Sequence, residues 1–225
     1  MQNMRGNVTF NQKQKGFTLP ELLVSMTIGA AMMTGVTTVY TNTLSSTAHS
    51  VSMTRLDQEL QAIVQLISRE TQRTGFDFDA VNGSDTDFGL LETTSSCIRY
   101  SYDVGSPANG TLEDTEKFGF AYRSSDNTVE FGTNIDSCSS GSAWTAINDP
   151  KIVTVSNMNL VINQLCTNMK DGSDCMTVAP VSGDKVVRKY QLDITLTGHP
   201  THDDSLEKTV STRVTLNNEV IDTIS

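Results

Sequence analysis

Residues 1–16 are polar and end Lys13-Gln14-Lys15-Gly16, and from Phe17 to about Val39 the chain turns apolar. The order of these parts narrows what the chain can become. A secretory signal runs from a basic segment through a short apolar one to a small-residue cleavage site. Here the small residue, Gly16, precedes the apolar run. A cut at Gly16 keeps the apolar helix on the mature chain, with Phe17 as its new amino terminus. The run is long enough to span a bilayer, which takes about 20 residues. One acid, Glu21, lies near its start. A carboxylate inside a membrane helix costs about 2.5–3.5 kcal/mol on insertion scales, so such a residue calls for a partner.

The short basic leader, the Gly16–Phe17 junction, the Thr18-Leu19-x-Glu21 that follows and the apolar helix together resemble the class III signal of type IV prepilins and type II secretion pseudopilins. The resemblance implies cleavage between Gly16 and Phe17 by an intramembrane prepilin peptidase, which also methylates the Phe17 amine. It implies for Glu21 a subunit-assembly role, attracting the amino terminus of a neighbouring subunit. The physics agrees: pairing a buried carboxylate with a buried ammonium removes two isolated charges at low dielectric. The competing view is that Glu21 snorkels to the headgroups with no specific partner.

Lys13 and Lys15 before the apolar run put the amino terminus in the cytoplasm and the rest outside the inner membrane. The four cysteines suit that side, because disulfides persist in oxidising compartments. Cys166 and Cys175 enclose a polar loop rich in turn formers, which favours Cys166–Cys175 and therefore Cys97–Cys138. Four cysteines still permit three pairings. No C-x-x-C pair supports zinc. Net charge is −10, and removing a leader that holds three basic residues and no acids makes it −13. That composition argues against a nucleic-acid footprint spread over the protein.

Along the apolar run Ser25, Thr27, Thr34, Thr37 and Thr38 interrupt the grease, and Gly29, Ala30, Ala31 and Gly35 add small residues. Both kinds serve helix–helix contacts in membranes. Pro20 falls in the first turn, where a missing N–H costs little. Further on, Leu56, Leu60, Ile63, Val64 and Ile67 recur at spacings of three and four, the stripe of an amphipathic helix. Gly75 is a plausible stop. One helix is therefore predicted from Phe17 to Thr74, roughly 87 Å long.

Everything after it reads as strands. Tyr190–Leu196 and Val210–Leu216 alternate with period two, joined by a polar loop over Gly198–Lys208. Phe118–Tyr122 and Val129–Phe131 flank a turn sequence, Ser124–Asn127. Ile98–Tyr102, Ile152–Val155 and Leu160–Ile162 add shorter strands. A long amino-terminal helix followed by strands predicts an α+β fold with a mostly antiparallel sheet over the helix, a layout that resembles the type IV pilin fold. Its parts would be a leader (1–16), a transmembrane or filament-core half-helix (17–40), an amphipathic half-helix (41–75) and an extracytoplasmic β-rich domain (76–225).

Within the superfamily, Ser68–Phe76 resembles the helix end of PilW-type minor pilins, and Ser211–Asn218 the closing strand of PilW-like and GspJ-like proteins. The resemblance implies a minor pilin of a type IV pilus, present in the filament or in a tip complex that primes its assembly. Its partners would be other pilins, the prepilin peptidase, the inner membrane and an inner-membrane assembly platform. Its location would be the inner membrane before assembly and the cell-surface pilus afterwards. A GspJ-like pseudopilin of type II secretion, and a pilus-borne adhesin or DNA-uptake component, are the alternatives.

No catalytic constellation is present: there is no Gly-x-Ser-x-Gly, P-loop or His-Glu-x-x-His. No cofactor or metal is expected. The acidic stretch Asp77–Asp87 misses the EF-hand spacing and reads better as a solvated loop than as a calcium site. His199 and His202, across Pro200, read as loop residues. Tyr100, Tyr102, Phe118, Phe120 and Tyr122 read as core rather than as a binding face.

Overall fold

A computed structural model describes residues 16–77, 88–104, 110–139, 143–217 and 220–224. Its contacts divide the chain into two units, residues 1–50 and residues 51–225.

The helix α1 covers Leu19–Thr71, 53 residues. No proline follows Pro20 within it, and its many threonines stay helical because their hydroxyls bond inward. Thr34, Thr37 and Thr38 each donate to the carbonyl four residues back, at 2.8–2.9 Å. At its far end the amides of Arg73 and Thr74 donate to carbonyls three residues back, tightening the last turn. Gly75 then takes φ of 76°, a value that favours glycine. The helix proper therefore stops at Thr71, three residues short of the expected end. The amide of Gly75 donates to the Ser101 carbonyl at 2.8 Å, tying the exit to the first sheet.

Among the described residues of the second unit nine strands follow: β1 Leu90–Thr94, β2 Cys97–Ser101, β3 Lys117–Arg123, β4 Thr128–Thr133, β5 Trp144–Ala146, β6 Val153–Asn168, β7 Lys185–Pro200, β8 Lys208–Thr215 and β9 Val220–Thr223. All pairings are antiparallel, and the α+β layout holds. One detail departs from expectation: there are two sheets rather than one. The first is a meander in the order β1-β2-β3-β4-β5. In the second, β7 pairs with β6 on one side and with β8 and β9 on the other. The sheets stay separate because the first meets β6 through its turns. Single bonds run from the Leu160 amide to Ser95 and from the Val155 amide to Asn127. The Tyr122 hydroxyl adds two more, donating to the carbonyls of Val155 and Ser156, each at 3.0 Å.

Residues 153–162 lie in one long strand, with Ile152 in the turn before it. A bulge between Val155 and Asn157 absorbs the break in alternation.

One core joins the three layers of this unit. Leu56, Leu60, Ile63, Val64 and Ile67 of α1 are all buried, packed among Ile98, Tyr100, Phe120 and Val129 of the first sheet and Val155, Leu192, Ile194 and Leu196 of the second. The period-3.6 stripe and the period-two strands thus cover one another. Tyr102 and Phe118 are buried with them, while Tyr122 is half-buried at the rim.

The other face of the first sheet carries a smaller cluster of Cys97, Ala121, Ile135 and Trp144. Gly119 and Gly132 make room for it. A Cβ on Gly119 would stand 2.7 Å from both the Ile135 Cδ1 and the Ile98 carbonyl oxygen. Because one of these is backbone, Gly119→Ala is expected to destabilise the domain by about 1–3 kcal/mol, read from urea unfolding of the full chain in detergent. Unchanged stability would show that this sheet face yields.

Two disulfides close, Cys97–Cys138 and Cys166–Cys175, 41 and 9 residues apart in sequence. The first pins β2 to the segment after β4, and the second closes the turn after β6. Loop-closure entropy makes the longer tie the stronger one, by about 1 kcal/mol at 25 °C. Cys97→Ser/Cys138→Ser is expected to lower the unfolding free energy more than Cys166→Ser/Cys175→Ser does. The reverse order in urea unfolding would contradict this.

Candidate functional site

The site begins where the described chain begins. Gly16 and Phe17 are exposed and precede the helix, and a Cβ placed on Gly16 would have no neighbour within 4 Å. Phe17 is 88% exposed. Both residues of the junction are thus accessible and lie outside the helix.

Thr18 stands at the N-cap and Glu21 at the third helical position. The Glu21 Oε2 accepts the Thr18 amide at 3.0 Å and the Thr18 hydroxyl at 2.8 Å. This is the backward-reaching half of a capping box, Thr-x-x-Glu, in which the third-position carboxylate satisfies an orphan amide. It explains why the helix starts at Leu19 and not at Phe17. The carboxylate lies one helical turn beyond the Gly16–Phe17 peptide, at the end where the helix dipole favours negative charge. Thr18-Leu19-Pro20-Glu21 spells this cap in the sequence, beneath the more conspicuous signal of a lone charge in an apolar run. A carboxylate offers about four lone-pair sites, so two bonds from Thr18 do not saturate it.

From Gly16 to Val51 every residue is exposed. Ser25 and Thr27 donate to the carbonyls of Leu22 and Val24 at 2.9 and 2.8 Å, as the later threonines do to theirs. With those hydroxyls turned back, the polar residues present little unmet hydrogen bonding. Nothing lies within 4 Å of a Cβ built at Gly29 or Gly35, so both leave open notches. This helix is long and apolar enough to cross a membrane.

Other sequence candidates do not assemble into a site. Among the described residues no group of three or more metal-ligating side chains comes together. Of the acidic stretch 77–87 only Asp77 lies within the described residues. His199 places Nδ1 3.1 Å from the Pro200 carbonyl, and His202 is exposed on the following turn. At the helix end, Tyr102 donates to Glu70 at 3.3 Å, and the Arg73 guanidinium lies 4.2 Å from the Tyr102 ring centre. Burial pushes the Tyr102 hydroxyl above its ordinary range, with Arg73 opposing and Glu70 adding to the shift. Tyr100 beside it is pushed well above, again chiefly by burial. Both phenols stay neutral, and the Tyr102 hydroxyl donates to Glu70, fastening the helix end beside β2; the buried Tyr100 hydroxyl has no hydrogen-bond partner among the described residues.

Comparison with known proteins finds two family models. The prokaryotic N-terminal methylation motif matches residues 11–37, across the junction and the apolar half of α1. The model for prepilin peptidase-dependent protein B matches residues 49–216, three quarters of the chain. The chain belongs to the prepilin peptidase-dependent protein B family. Searches among curated proteins and solved structures find no match. The family match begins at residue 49, close to where the second unit begins, and the methylation motif covers the part that precedes it. This prepilin peptidase-dependent chain is thus a type IV pilin-like protein carrying a class III prepilin signal.

Proposed function

We propose that the chain is a minor pilin of a type IV pilus. In this reading prepilin peptidase cuts between Gly16 and Phe17 and methylates the new Phe17 amine. Before assembly the protein sits in the inner membrane, with its amino terminus cytoplasmic and its β-rich domain periplasmic. An assembly platform then moves the apolar helix out of lipid and among the helices of other pilins. The protein enters the filament or its tip complex and primes or regulates assembly. Its role is structural rather than catalytic.

The observation that supports this best is the meeting of signal and geometry at one point: the methylation motif spans the junction, and the helix opens two residues after Phe17 with Glu21 in its first turn. The mature amine and the carboxylate would then share one end of one helix. In a bundle of such helices, each carboxylate can take the ammonium of a neighbour where water is excluded, and the attraction is strongest there. N-methylation leaves a secondary amine that is still protonated and still a donor.

Deletion of the gene, followed by shearing of surface filaments, tests the role. The expected result is a fall in surface pili to about a tenth or less, restored by the full-length chain, which is itself found in the sheared fraction. Normal piliation with failed protein secretion would overturn the pilus assignment in favour of a type II secretion pseudopilin.

A further inference from the structure

The second unit contains a groove unrelated to the leader. A cavity of about 330 Å³ opens between the start of the amphipathic stretch, the segment leading into β6 and the β7–β8 turn. Leu56 and Val153, both buried, form its floor. Arg55, Lys151, His202 and Asp203 stand around it.

Unpaired cations are few among the described residues of this protein. The chain holds 26 acidic residues against 16 basic ones, so a cation easily finds an acid. Arg99, Lys117, Arg123, Lys208 and Arg213 each lie within 3.5 Å of a carboxylate. Arg55 and Lys151 do not: among the described residues neither makes an ion pair or a side-chain hydrogen bond, and both are exposed. Two unmatched cations of an acidic protein thus line one groove, with an imidazole beside them.

We propose that this groove is a docking site for an acidic segment of another protein, one whose carboxylate reaches Arg55 and Lys151 while an adjoining aliphatic group covers the part-exposed Ile152 and Pro200. A bare phosphate fits less well, since it would face the Asp203 carboxylate and leave the part-exposed Ile152 and Pro200 uncovered. That carboxylate already accepts the Ser205 amide and hydroxyl. The volume holds a few side chains, at the small end of ligand sites and too little for the body of a diacyl lipid. That the segment belongs to a neighbouring pilin rests on the function proposed above; the chemistry of the groove does not.

The test uses the full chain in detergent and a fluorescein-labelled hexapeptide of alternating Glu and Leu, read by fluorescence anisotropy. Binding is expected, weakened about tenfold by Arg55→Ala/Lys151→Ala. A similar loss is expected when Gln replaces Glu in the peptide. Lys185→Ala, which removes another unpaired cation outside the groove, should leave binding unchanged. Both groove cations are exposed, and thermal melting of each variant checks that the fold persists. Equal binding by wild type and the double variant would overturn the proposal. So would binding of inorganic phosphate or of dihexanoyl phosphatidylglycerol with no binding of the peptide. The readout needs no filament, so a failed groove leaves the pilin reading intact, and a failed pilin reading leaves the groove intact.

Discussion

Gly16→Leu is expected to leave the leader attached, so that the chain runs as a single species 16 residues heavier than the mature form. Among the described residues nothing lies within 4 Å of a Cβ built at Gly16. The loss falls on the peptidase, which holds the leader backbone closely where there is no Cβ. A displacement of about 1 Å at a scissile bond costs on the order of 100-fold in rate. Membrane fractions probed with an antibody to the β-rich domain would show precursor in place of mature protein, and none in sheared pili. Equal mobility of wild type and variant would mean that the cut lies elsewhere.

Glu21 carries the second large effect, and its two contacts require two variants. Glu21→Ala removes both the cap on Thr18 and the charge. Losing a cap weakens the first turn of a helix, whereas in a bundle that excludes water the lost charge would leave the neighbour's ammonium without its partner, the larger effect. Glu21→Gln keeps an acceptor for the Thr18 amide and hydroxyl, since Gln also closes capping boxes, but it has no charge. If Glu21 pairs with a neighbouring Phe17 ammonium, both variants are cleaved normally and both lose at least about tenfold in filament incorporation. If only the cap matters, Glu21→Gln is incorporated like wild type. Quantifying the protein in sheared filaments against the membrane pool separates the two, and wild-type incorporation of Glu21→Gln would end the charge-pairing idea.

What could be read from sequence follows from how local each signal is. The spacing of Leu56, Leu60, Ile63, Val64 and Ile67 names a helical stripe without any knowledge of its cover, and all five are buried. The β3–β4 hairpin and the β7–β8 pair were legible because alternation and turn residues sit side by side in the chain. The division into two sheets was not. It depends on β6 meeting the first sheet at its turns, a relation between residues as far apart as Ser95 and Leu160. Strands β5 and β9 are three and four residues long, too short to show a period, and β1, Leu-Leu-Glu-Thr-Thr, has no alternation to show. The need for glycine at 119 and 132 is set by Ile135 and Trp144, which arrive from a later segment. The Thr18–Glu21 cap was spelled in the sequence, but a carboxylate in an apolar run drew the eye to its charge.

Intact and N-terminal peptide mass analysis of the protein purified from membranes tests the central claim most directly. The expected result is a mature chain that begins at Phe17, heavier by one methyl group on its terminal amine, with 209 residues left from 225 after loss of the first 16. A chain that keeps its leader, or begins at any other residue, would contradict it.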